Sequence, residues 1–469
     1  MQKAELVFIP SSGVGHLVSM VEIAKLLVER DHRLSITVLI INLPNFDSKI
    51  TATYTGSLNR IKFIHLPTHT SDPKTFFTSI IESQKHRVKE AITQHVTSLP
   101  DTPRLAGFVL DIFCTSMIDV ANDFGVPSYI YFVSGAAFLG FMFHAQFLHD
   151  ELKKPISDLK DSDTELVVPT LANPIHAKFL PSAVLNTDWV VSLYELTRRF
   201  RTVNGIMVNT FTELESYAVN ALSDSDIPPL YPVGPMLNLD GNINDTDKKA
   251  EIVEWLDDQP PSSVVFLCFG SMGCFDEDQL KEIACALEQC RHRFLWSLRK
   301  DKDKFVIPSD YENLTDVLPE GFLDRTVGVG KVIGWAPQVA VLGHPAIGGF
   351  VSHCGWNSTL ESLWFGVPIA TWPMFAEQQF NAFQLVRELG LAVEIKMDYR
   401  KGLNTDDKAV IVTAEEIERG IKCLMEYDTD IRNRVKEMSV MSRKALMDGG
   451  SSFSSLGRFI TDVMDNINP

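Results

Sequence analysis

The chain has little of what marks a secreted or a nucleic-acid-binding protein. Its 469 residues include seven cysteines, an odd number, and none of them forms a Cys-x-x-Cys pair. This pattern favours free thiols in a reducing compartment over a disulfide framework. The formal net charge is −17, which leaves no basic footprint for nucleic acid. The same charge opposes anionic ligands, so such a ligand would have to be bound by local dipoles.

Long apolar runs are also scarce. Residues 125–149 contain no Asp, Glu, Lys or Arg, but Pro127 lies near their start and Ser134 interrupts them after a short β-rich run. No Lys/Arg cluster flanks either end, so we expect a buried strand followed by a buried helix, and no integral membrane segment. The amino-terminal apolar run, residues 6–9, does not resemble a signal peptide, and we expect a cytoplasmic protein.

Signatures of several enzyme classes are missing too. The histidines are scattered and no acidic cluster accompanies the glycine-containing loop at residues 351–361, so we expect no metal site. Neither a Ser-His-Asp pattern nor a Gly-x-Ser-x-Gly pattern of hydrolases is present. Without a bound cation, a diphosphate that leaves in a group-transfer reaction would have to be stabilised by helix N–H groups and side chains.

What the chain does have is an alternation of strand-like and helix-like segments that runs twice. The length exceeds what one hydrophobic core usually supports. The first alternation stops at a polar, turn-rich stretch, and a second begins near residue 264. The pattern predicts two doubly wound α/β domains with parallel sheets, residues 1–236 and 250–453, joined by a linker at 237–249. Ligands are expected at the carboxyl ends of the strands, in a cleft between the domains.

The glycine-rich turn Pro10-Ser-Ser-Gly-Val-Gly-His16 follows the first predicted strand. It is a poor dinucleotide fingerprint, because Val18 falls where a third small residue would be and no acidic residue ends the second strand. His16 and Asp111, which ends the strand 107–110, fall at the same carboxyl edge. A carboxylate there can hold an imidazole ready to act as a general base. His16 could equally be a surface histidine of the first helical turn, and Asp111 a helix N-cap.

A second loop, residues 351–361, joins a strand to a helix in the second half. The helix N–H groups would converge there with three side chains, those of His353, Asn357 and Ser358, which suits a diphosphate. Glu361 has two open interpretations: a capping box with Ser358, or an acceptor for a ribose diol. The turn Phe269-Gly-Ser-Met-Gly273 could approach the same phosphates.

These residues carry a resemblance. The segment that contains Trp335-Ala-Pro-Gln338, His353-Cys-Gly-Trp-Asn-Ser358 and Glu377-Gln378 spans 44 residues and is similar to the signature box of plant secondary-product glycosyltransferases that use UDP-sugars, glycosyltransferase family 1. Four further segments match the same family: residues 208–215, 232–235 and 449–453, and the His16 loop. Two finer matches, Arg293-Phe-Leu-Trp-Ser-Leu-Arg299 and Leu110-Asp-Ile-Phe-Cys114, resemble the branch that glucosylates flavonoids and triterpenes.

The resemblance implies a GT-B fold of two facing Rossmann-like domains, with a helix at about 454–469 packing back on the first. It implies that the first domain binds the acceptor and the second the UDP-sugar, and that His16 and Asp111 form the catalytic pair. The implied donor-binding residues are Trp335, Ala336 and Gln338 at the uracil; His353, Asn357, Ser358 and Ser271 at the diphosphate; Glu361 at the ribose; Trp356, Glu377 and Gln378 at the sugar; and Ser134 and Gly15 close to the donor.

The implied reaction is an inverting, metal-independent transfer of a hexose to a hydroxyl of a small lipophilic plant metabolite. Because the box ends in Gln378, glucose from UDP-glucose is the expected donor sugar. A flavonoid or other phenolic is the first expected acceptor and a triterpenoid the second, and the product is a β-O-glucoside. The apolar residues 138–147 and the region 175–191 are candidates for the acceptor pocket. No cofactor beyond the co-substrate is expected, and the chain is expected to act as a monomer.

Two other functions stay open at this point. An NAD-linked oxidoreductase would explain the doubly wound halves, although its fingerprint is broken. A non-catalytic sugar-nucleotide binder would keep the second-half box but would have no use for His16 paired with Asp111.

Overall fold

The structure is a computed structural model of the chain. It describes residues 3–11, 13–42, 58–67, 77–97, 103–160, 162–239, 246–301, 308–401 and 410–467. The chain divides into two compact units. The first comprises Met1–Glu151, Val191–Asn238 and Lys444–Pro469, and the second comprises Leu152–Val190 and Leu239–Arg443.

The strands of the described residues are short and mostly buried on both faces, as in a parallel sheet covered by helices. In chain order they are β1 (Ala4–Ile9), β2 (Leu34–Ile40), β3 (Ile61–His65), β4 (Arg104–Asp111), β5 (Ser128–Phe132), β6 (Glu165–Leu166), β7 (Ile175–His176), β8 (Gly205–Val208), β9 (Leu230–Pro232), β10 (Val264–Cys268), β11 (Arg293–Ser297), β12 (Gly330–Ile333), β13 (Ile347–Ser352), β14 (Ile369–Thr371) and β15 (Ala392–Glu394).

The α-helices alternate with these strands. They are α1 (Val14–Arg30), α2 (Phe77–Ser83), α3 (Lys85–Ile92), α4 (Ile118–Asp123), α5 (Ala136–Asp150), α6 (Ser182–Leu185), α7 (Thr187–Phe200), α8 (Ser216–Ser223), α9 (Thr246–Asp257), α10 (Glu277–Cys290), α11 (Phe322–Arg325), α12 (Gln338–Leu342), α13 (Trp356–Phe365), α14 (Gln378–Phe383), α15 (Ala414–Met425), α16 (Asp430–Leu446) and α17 (Ser451–Ile467).

The sheet of the first unit has, over the described ranges, seven parallel strands in the order β3-β2-β1-β4-β5-β8-β9. Helix α1 buries an apolar stripe that includes Met20, Ala24 and Leu27 in the same core as β1 and β2. The carboxyl-terminal helix α17 belongs to this unit. Its Phe459 ring lies edge-on to Tyr129 and Tyr231, with centroids 5.0 and 5.4 Å away. Apolar contact therefore ties the end of the chain to β5 and β9.

The sheet of the second unit has six parallel strands within the residues described, in the order β12-β11-β10-β13-β14-β15. A cluster of fully or nearly fully buried rings packs beside it, with Phe269 edge-on to Trp372 at 5.5 Å and Phe275 4.6 Å from Phe269. Helix α10 starts at a side-chain cap, because the Asp276 carboxylate accepts the N–H of Gln279 at 3.0 Å. Helix α15 starts in the same way, because the Thr413 hydroxyl accepts the N–H of Glu416 at 3.3 Å.

The units differ in two places from the domain boundaries predicted from sequence. Residues 152–190 join the second unit rather than the first, because the Glu388 carboxylate accepts the N–H groups of Ala172 and Asn173 at 2.7 and 3.0 Å, and Phe179 lies 5.8 Å from Phe383. The returning segment begins at Lys444 rather than near residue 454. Residues 240–245 of the predicted linker, 237–249, fall outside the described residues, and its last four residues begin α9.

Candidate functional site

His16 and Asp111 meet in the first unit. Strands β1 and β4 are parallel neighbours, so the turn after β1 and the last residue of β4 share one edge of the sheet. His16 is the third residue of α1, and Asp111 ends β4. Their Nδ1 and Oδ2 atoms are 2.6 Å apart. The Asp111 side chain is fully buried and that of His16 is 25 % exposed, so the imidazole reaches solvent while its partner does not.

Phe113 contacts both members of this pair. Asp111 Oδ1 accepts the N–H of Phe113 at 3.1 Å, and the Phe113 ring lies 5.5 Å from the imidazole. Because Nδ1–H donates to the carboxylate, Nε2 is the basic nitrogen of His16. The pair has the geometry of an oriented general base. Gly15 lies on the exposed first turn of α1.

Buried hydrogen bonds behind α1 hold the helix in place. The hydroxyls of Ser19 and Tyr131 are 2.6 Å apart, and Asn209 donates to Ser19 at 3.3 Å. Burial raises the pKa of the Tyr131 phenol, so it stays protonated and available as a donor. Asn209 belongs to the matching segment 208–215, but its contact with Ser19 spans 190 positions and that of Ser19 with Tyr131 spans 112, so the sequence did not predict them.

Ser134 lies in the turn before α5. Its hydroxyl is buried and has no hydrogen-bond partner among the described residues. The adjacent helix start is satisfied by a distant acid: the buried Glu215 carboxylate accepts the N–H groups of Ala136 and Ala137 at 2.8 and 2.9 Å. Glu215 was only part of a matching segment in the sequence, and with Glu213 two residues before it no pattern singled it out. It fixes the start of α5 next to Ser134.

Apart from Ser134 and Gly15, the predicted donor residues lie in the second unit, in loops at the carboxyl ends of the strands. Strands β10, β13 and β14 are neighbours, so the loops after them share one edge. Trp335 follows β12 at the same edge of the sheet. His16 and Asp111 belong to the first unit and these residues to the second.

His353 is enclosed by glycines. It is 8 % exposed, and a Cβ atom added at Gly270 or at Gly355 would lie 2.5 Å from its Nε2. Gly270 also has a φ of +75°, which glycine adopts without strain. Burial lowers the pKa of His353 to about 4, so the ring is neutral near pH 7. Its Nδ1 has no hydrogen-bond partner in the described part of the chain. A neutral imidazole can offer one N–H to an anion without adding a charge.

The loop around His353 is shaped by short polar contacts. Cys354 has a φ of +62°, its N–H donates to the Ser352 hydroxyl at 3.1 Å, and Asn381 donates to its carbonyl at 2.9 Å. The Ser271 turn approaches from β10, through the packing of Gly270 against His353. The two glycine-containing turns that the sequence singled out are therefore adjacent.

Helix α13 begins at Trp356, with Gly355 as N-cap and no side-chain cap. Trp356, Asn357 and Ser358 thus form its first turn, where backbone N–H groups lack helical partners. The capping-box interpretation of Ser358 with Glu361 is wrong, because it would make Ser358 the N-cap, whereas the helix already begins at Trp356. The carboxylate is left for another contact.

Gln338 provides that contact. Its Nε2 donates to the Ser358 hydroxyl at 2.8 Å and to Glu361 Oε2 at 2.6 Å, which joins the start of α12 to α13. Burial raises the pKa of Glu361 to about 7, partly opposed by the hydrogen bond from Gln338. Ala336 is buried beside this contact, and the Trp335 side chain remains 37 % exposed.

Glu377 and Gln378 stand at the start of α14. Gln378 Oε1 accepts the N–H groups of Met374 and Phe375 at 2.9 and 3.0 Å. The amide oxygen thus shapes the turn, and only the Nε2 group of Gln378 remains to donate to a ligand. The sequence singled out both residues but did not anticipate this structural use.

Two features are absent from the described residues. Their His, Cys, Asp and Glu side chains form no cluster of three suited to a metal ion. Among their helices, none combines the length and apolar character that a membrane crossing requires.

The chain is similar to known glycosyltransferases. Residues 182–417 match the family described as UDP-glucoronosyl and UDP-glucosyl transferase. UDP-glucose flavonoid 3-O-glucosyltransferase 6 of Fragaria ananassa is 56% identical over 482 residues, covering 99% of this chain and 99% of that protein. Anthocyanidin 3-O-glucosyltransferase 1 of Manihot esculenta is 56% identical over 460 residues, covering 96% of this chain and all of that protein.

Solved structures give the same picture of the fold. A UGT transferase from Siraitia grosvenorii in complex with UDP has a TM-score of 0.90 and 51% identity, covering 98% of this chain and 100% of that chain. Medicago truncatula UGT71G1 complexed with UDP-glucose has a TM-score of 0.87 and 43% identity, covering 98% of each chain. The predicted pair of parallel-sheet α/β domains of the GT-B type is confirmed.

Proposed function

From the premise that this chain belongs to the UDP-glucoronosyl and UDP-glucosyl transferase family, and is a UDP-glycosyltransferase, we propose that it transfers glucose from UDP-glucose to a hydroxyl of a flavonoid. The observation that carries the proposal is the buried Asp111 carboxylate on Nδ1 of a partly exposed His16, 2.6 Å away. A non-catalytic binder would have no use for that pair at a strand edge, and a nicotinamide enzyme would need the dinucleotide fingerprint that the His16 loop lacks. The relatives' names support glucose and flavonoid.

The proposed reaction is a single in-line displacement. His16 Nε2 takes the proton of the acceptor hydroxyl while Asp111 stabilises the imidazolium. The acceptor oxygen then attacks the anomeric carbon on the side opposite to UDP, so an α-linked donor gives a β-O-glucoside. Base assistance contributes roughly 10²–10⁴-fold, and positioning together with stabilisation of the leaving group supplies much of the rest.

The donor is proposed to bind to the loops of the second unit. Trp335 would stack on uracil, with Ala336 and Gln338 beside it, and Glu361 would accept hydrogen bonds from the ribose. The diphosphate would be bound by four side chains and the first-turn N–H groups of α13; those side chains are His353, Asn357, Ser358 and Ser271. The glucose would lie near Trp356, Glu377, the Nε2 of Gln378, Ser134 and Gly15.

This arrangement surrounds the UDP leaving group with hydrogen-bond donors that carry no net positive charge. His353 is neutral near pH 7 because burial lowers its pKa to about 4. The net charge of −17 repels an anionic ligand. The diphosphate would therefore be bound by the positive end of α13 and by neutral N–H and O–H donors. The acceptor is proposed to bind to the first unit, and the chain to work as a cytoplasmic monomer.

The activity test is direct. The protein is incubated with UDP-glucose and a panel of flavonols, anthocyanidins, simple phenols and triterpenoid alcohols, and products are examined by mass spectrometry for a hexose gain. Parallel reactions with UDP-galactose, UDP-xylose and UDP-glucuronate establish the donor. A flavonoid β-glucoside formed from UDP-glucose is the expected product, and transfer only to triterpenoids would reassign the acceptor.

His16→Ala tests the base. Transfer to an aliphatic alcohol should be abolished, whereas transfer to a phenol that is nearly ionised should suffer less, because a phenolate needs little base. The matched control is His344→Ala, which removes another His–Asp contact, 3.1 Å to Asp257, from a position before β13, and should leave both rates unchanged. Equal losses with both acceptors would count against His16 as the base.

A further inference from the structure

Arg299 ends the segment 293–299 of the resemblance and has no part in the donor site described above. It lies two residues beyond the end of β11, and Trp335 lies two residues beyond the end of β12. Because β11 and β12 are parallel neighbours, the two side chains share one edge of the sheet. The guanidinium carbon is 4.9 Å from the centroid of the Trp335 ring. Arg299 thus lies over one face of the indole.

The two residues are also joined through a third. Asp310 Oδ1 accepts the backbone N–H of Trp335 at 3.0 Å, and the same oxygen is 3.3 Å from Arg299 Nε. Arg299 also donates to the carbonyl of Pro308. A Cβ atom on Gly334 would lie 2.2 Å from the Asp310 carboxyl carbon. Asp310 therefore holds the Trp335 backbone and the guanidinium that covers the Trp335 ring.

Arg299 is buried, whereas Trp335 is partly exposed. Arg299 is 7 % exposed while Trp335 is 37 % exposed. A planar guanidinium is more weakly hydrated than an ammonium and stacks on an aromatic face, which a lysine side chain cannot imitate. With one face of the indole covered by a buried cation, the face away from Arg299 is the one to which a flat ligand can stack.

We propose that Arg299 is a positioning residue for the nucleotide base: it fixes the Trp335 indole so that one defined face receives the uracil ring of the donor. The inference rests on the proposed function, which places uracil at Trp335. Arg299 does not touch the ligand. It reduces the ordering that the indole would otherwise undergo on binding.

The expected phenotype is a loss of donor affinity with little loss of turnover. Arg299→Ala should weaken UDP binding by about 3–30-fold, the range of a partly to well desolvated cation–π contact, and raise the KM for UDP-glucose in proportion. The kcat at saturating donor should stay within about twofold. Arg299→Lys should recover only part of the affinity, because the ammonium keeps the charge without the planar stacking surface.

A double-mutant cycle measures whether Arg299 acts through Trp335. UDP dissociation constants are measured by calorimetry for the wild type, Arg299→Ala, Trp335→Ala and the double variant. In the Trp335→Ala background, Arg299→Ala should cause no further loss, because there is no indole to position. Multiplying losses would show that Arg299 acts on the nucleotide directly or through general stability, and would overturn the inference.

The control is Arg443→Ala. Arg443 also stacks on a tryptophan, 4.6 Å from the Trp364 centroid, in the same unit but outside the donor loops, and its loss should leave UDP affinity unchanged. If Arg299→Ala does not fold, Asp310→Ala tests the same coupling from an exposed side chain. As a single substitution it should lower the affinity for UDP by a few-fold, and in the Trp335→Ala background it should not change that affinity.

The outcomes separate the two ideas. If Trp335→Ala leaves UDP affinity unchanged, the proposed placement of uracil fails. If Trp335→Ala weakens UDP but neither Arg299→Ala nor Asp310→Ala does, the donor site stands and the positioning role of Arg299 is refuted.

Discussion

Donor binding should depend on pH through Glu361. Its pKa is raised to about 7 by burial, so about half of the ligand-free protein carries a protonated Glu361 at that pH. A ribose diol donates hydrogen bonds, and the carboxylate is the form that accepts them. Binding therefore selects the ionised form, and the apparent dissociation constant scales with 1 + 10^(pKa − pH). Between pH 8 and pH 6 the affinity for UDP-glucose should fall about tenfold, or ~1.4 kcal/mol.

Calorimetry with UDP-glucose in the absence of acceptor can measure this. The pyrophosphate diester of UDP-glucose keeps a constant charge in this range, unlike UDP, so the ligand adds no titration of its own. His353, with a pKa of about 4, stays neutral throughout. Titrations at pH 7 in two buffers of different ionisation enthalpy should show release of about half a proton per donor bound.

Glu361→Gln is the matched variant. The amide keeps one acceptor oxygen next to Gln338 but does not titrate, so its donor affinity should be lower at pH 8 and independent of pH from 6 to 8. A wild-type dissociation constant that is flat over this range, with no proton released, would refute the assignment of Glu361 to the ribose. A variant that kept the wild-type pH dependence would show that another group titrates.

Three other perturbations follow from the contacts. Asp111→Asn should lower kcat for an aliphatic acceptor by ~10²-fold or more in steady-state assays, because an amide does not stabilise the imidazolium; an unchanged kcat would contradict the pairing. Gly270→Ala should raise the KM for UDP-glucose and lower the melting temperature, because its Cβ meets His353. Gly328→Ala, with a similar φ of +76° and no atom within 4 Å of the added Cβ, carries the backbone strain alone and should leave the KM unchanged. Phe459→Ala should destabilise the first unit by about 3–5 kcal/mol in denaturant unfolding, and a loss below 1 kcal/mol would contradict its buried role.

Much of the local organisation could be predicted. The alternation of short apolar runs with amphipathic segments located most strands, including β1, β2 and β10, and residues 125–149 form a buried strand and helix as expected. Residues that follow a strand are brought to its carboxyl edge, so His16 and Asp111 could be placed together before any contact was known. The resemblance added the family and the roles proposed for the donor residues.

Some elements were missed because their signals are weak. Strands β3, β9 and β15 are three to five residues long, lie towards sheet edges, and are defined mainly by their pairing. The start of α13 was placed too late, because the Ser-x-x-Glu pattern suggested a cap where the helix is already formed. Residues 152–190 were assigned by their position along the chain, whereas the contacts of Glu388 with that segment place it in the second unit.

The sequence by itself therefore determined the fold class, the family and the edge of each sheet at which the proposed site residues lie, since these depend on patterns among residues close together along the chain. Only the tertiary structure decided which partners each side chain has: Glu215 on the start of α5, Gln338 on Glu361, the glycines around His353, and Arg299 over Trp335. The physical reason is that hydrogen bonds and ring contacts act over a few ångströms. Strand order and packing, rather than distance along the chain, decide which residues come that close.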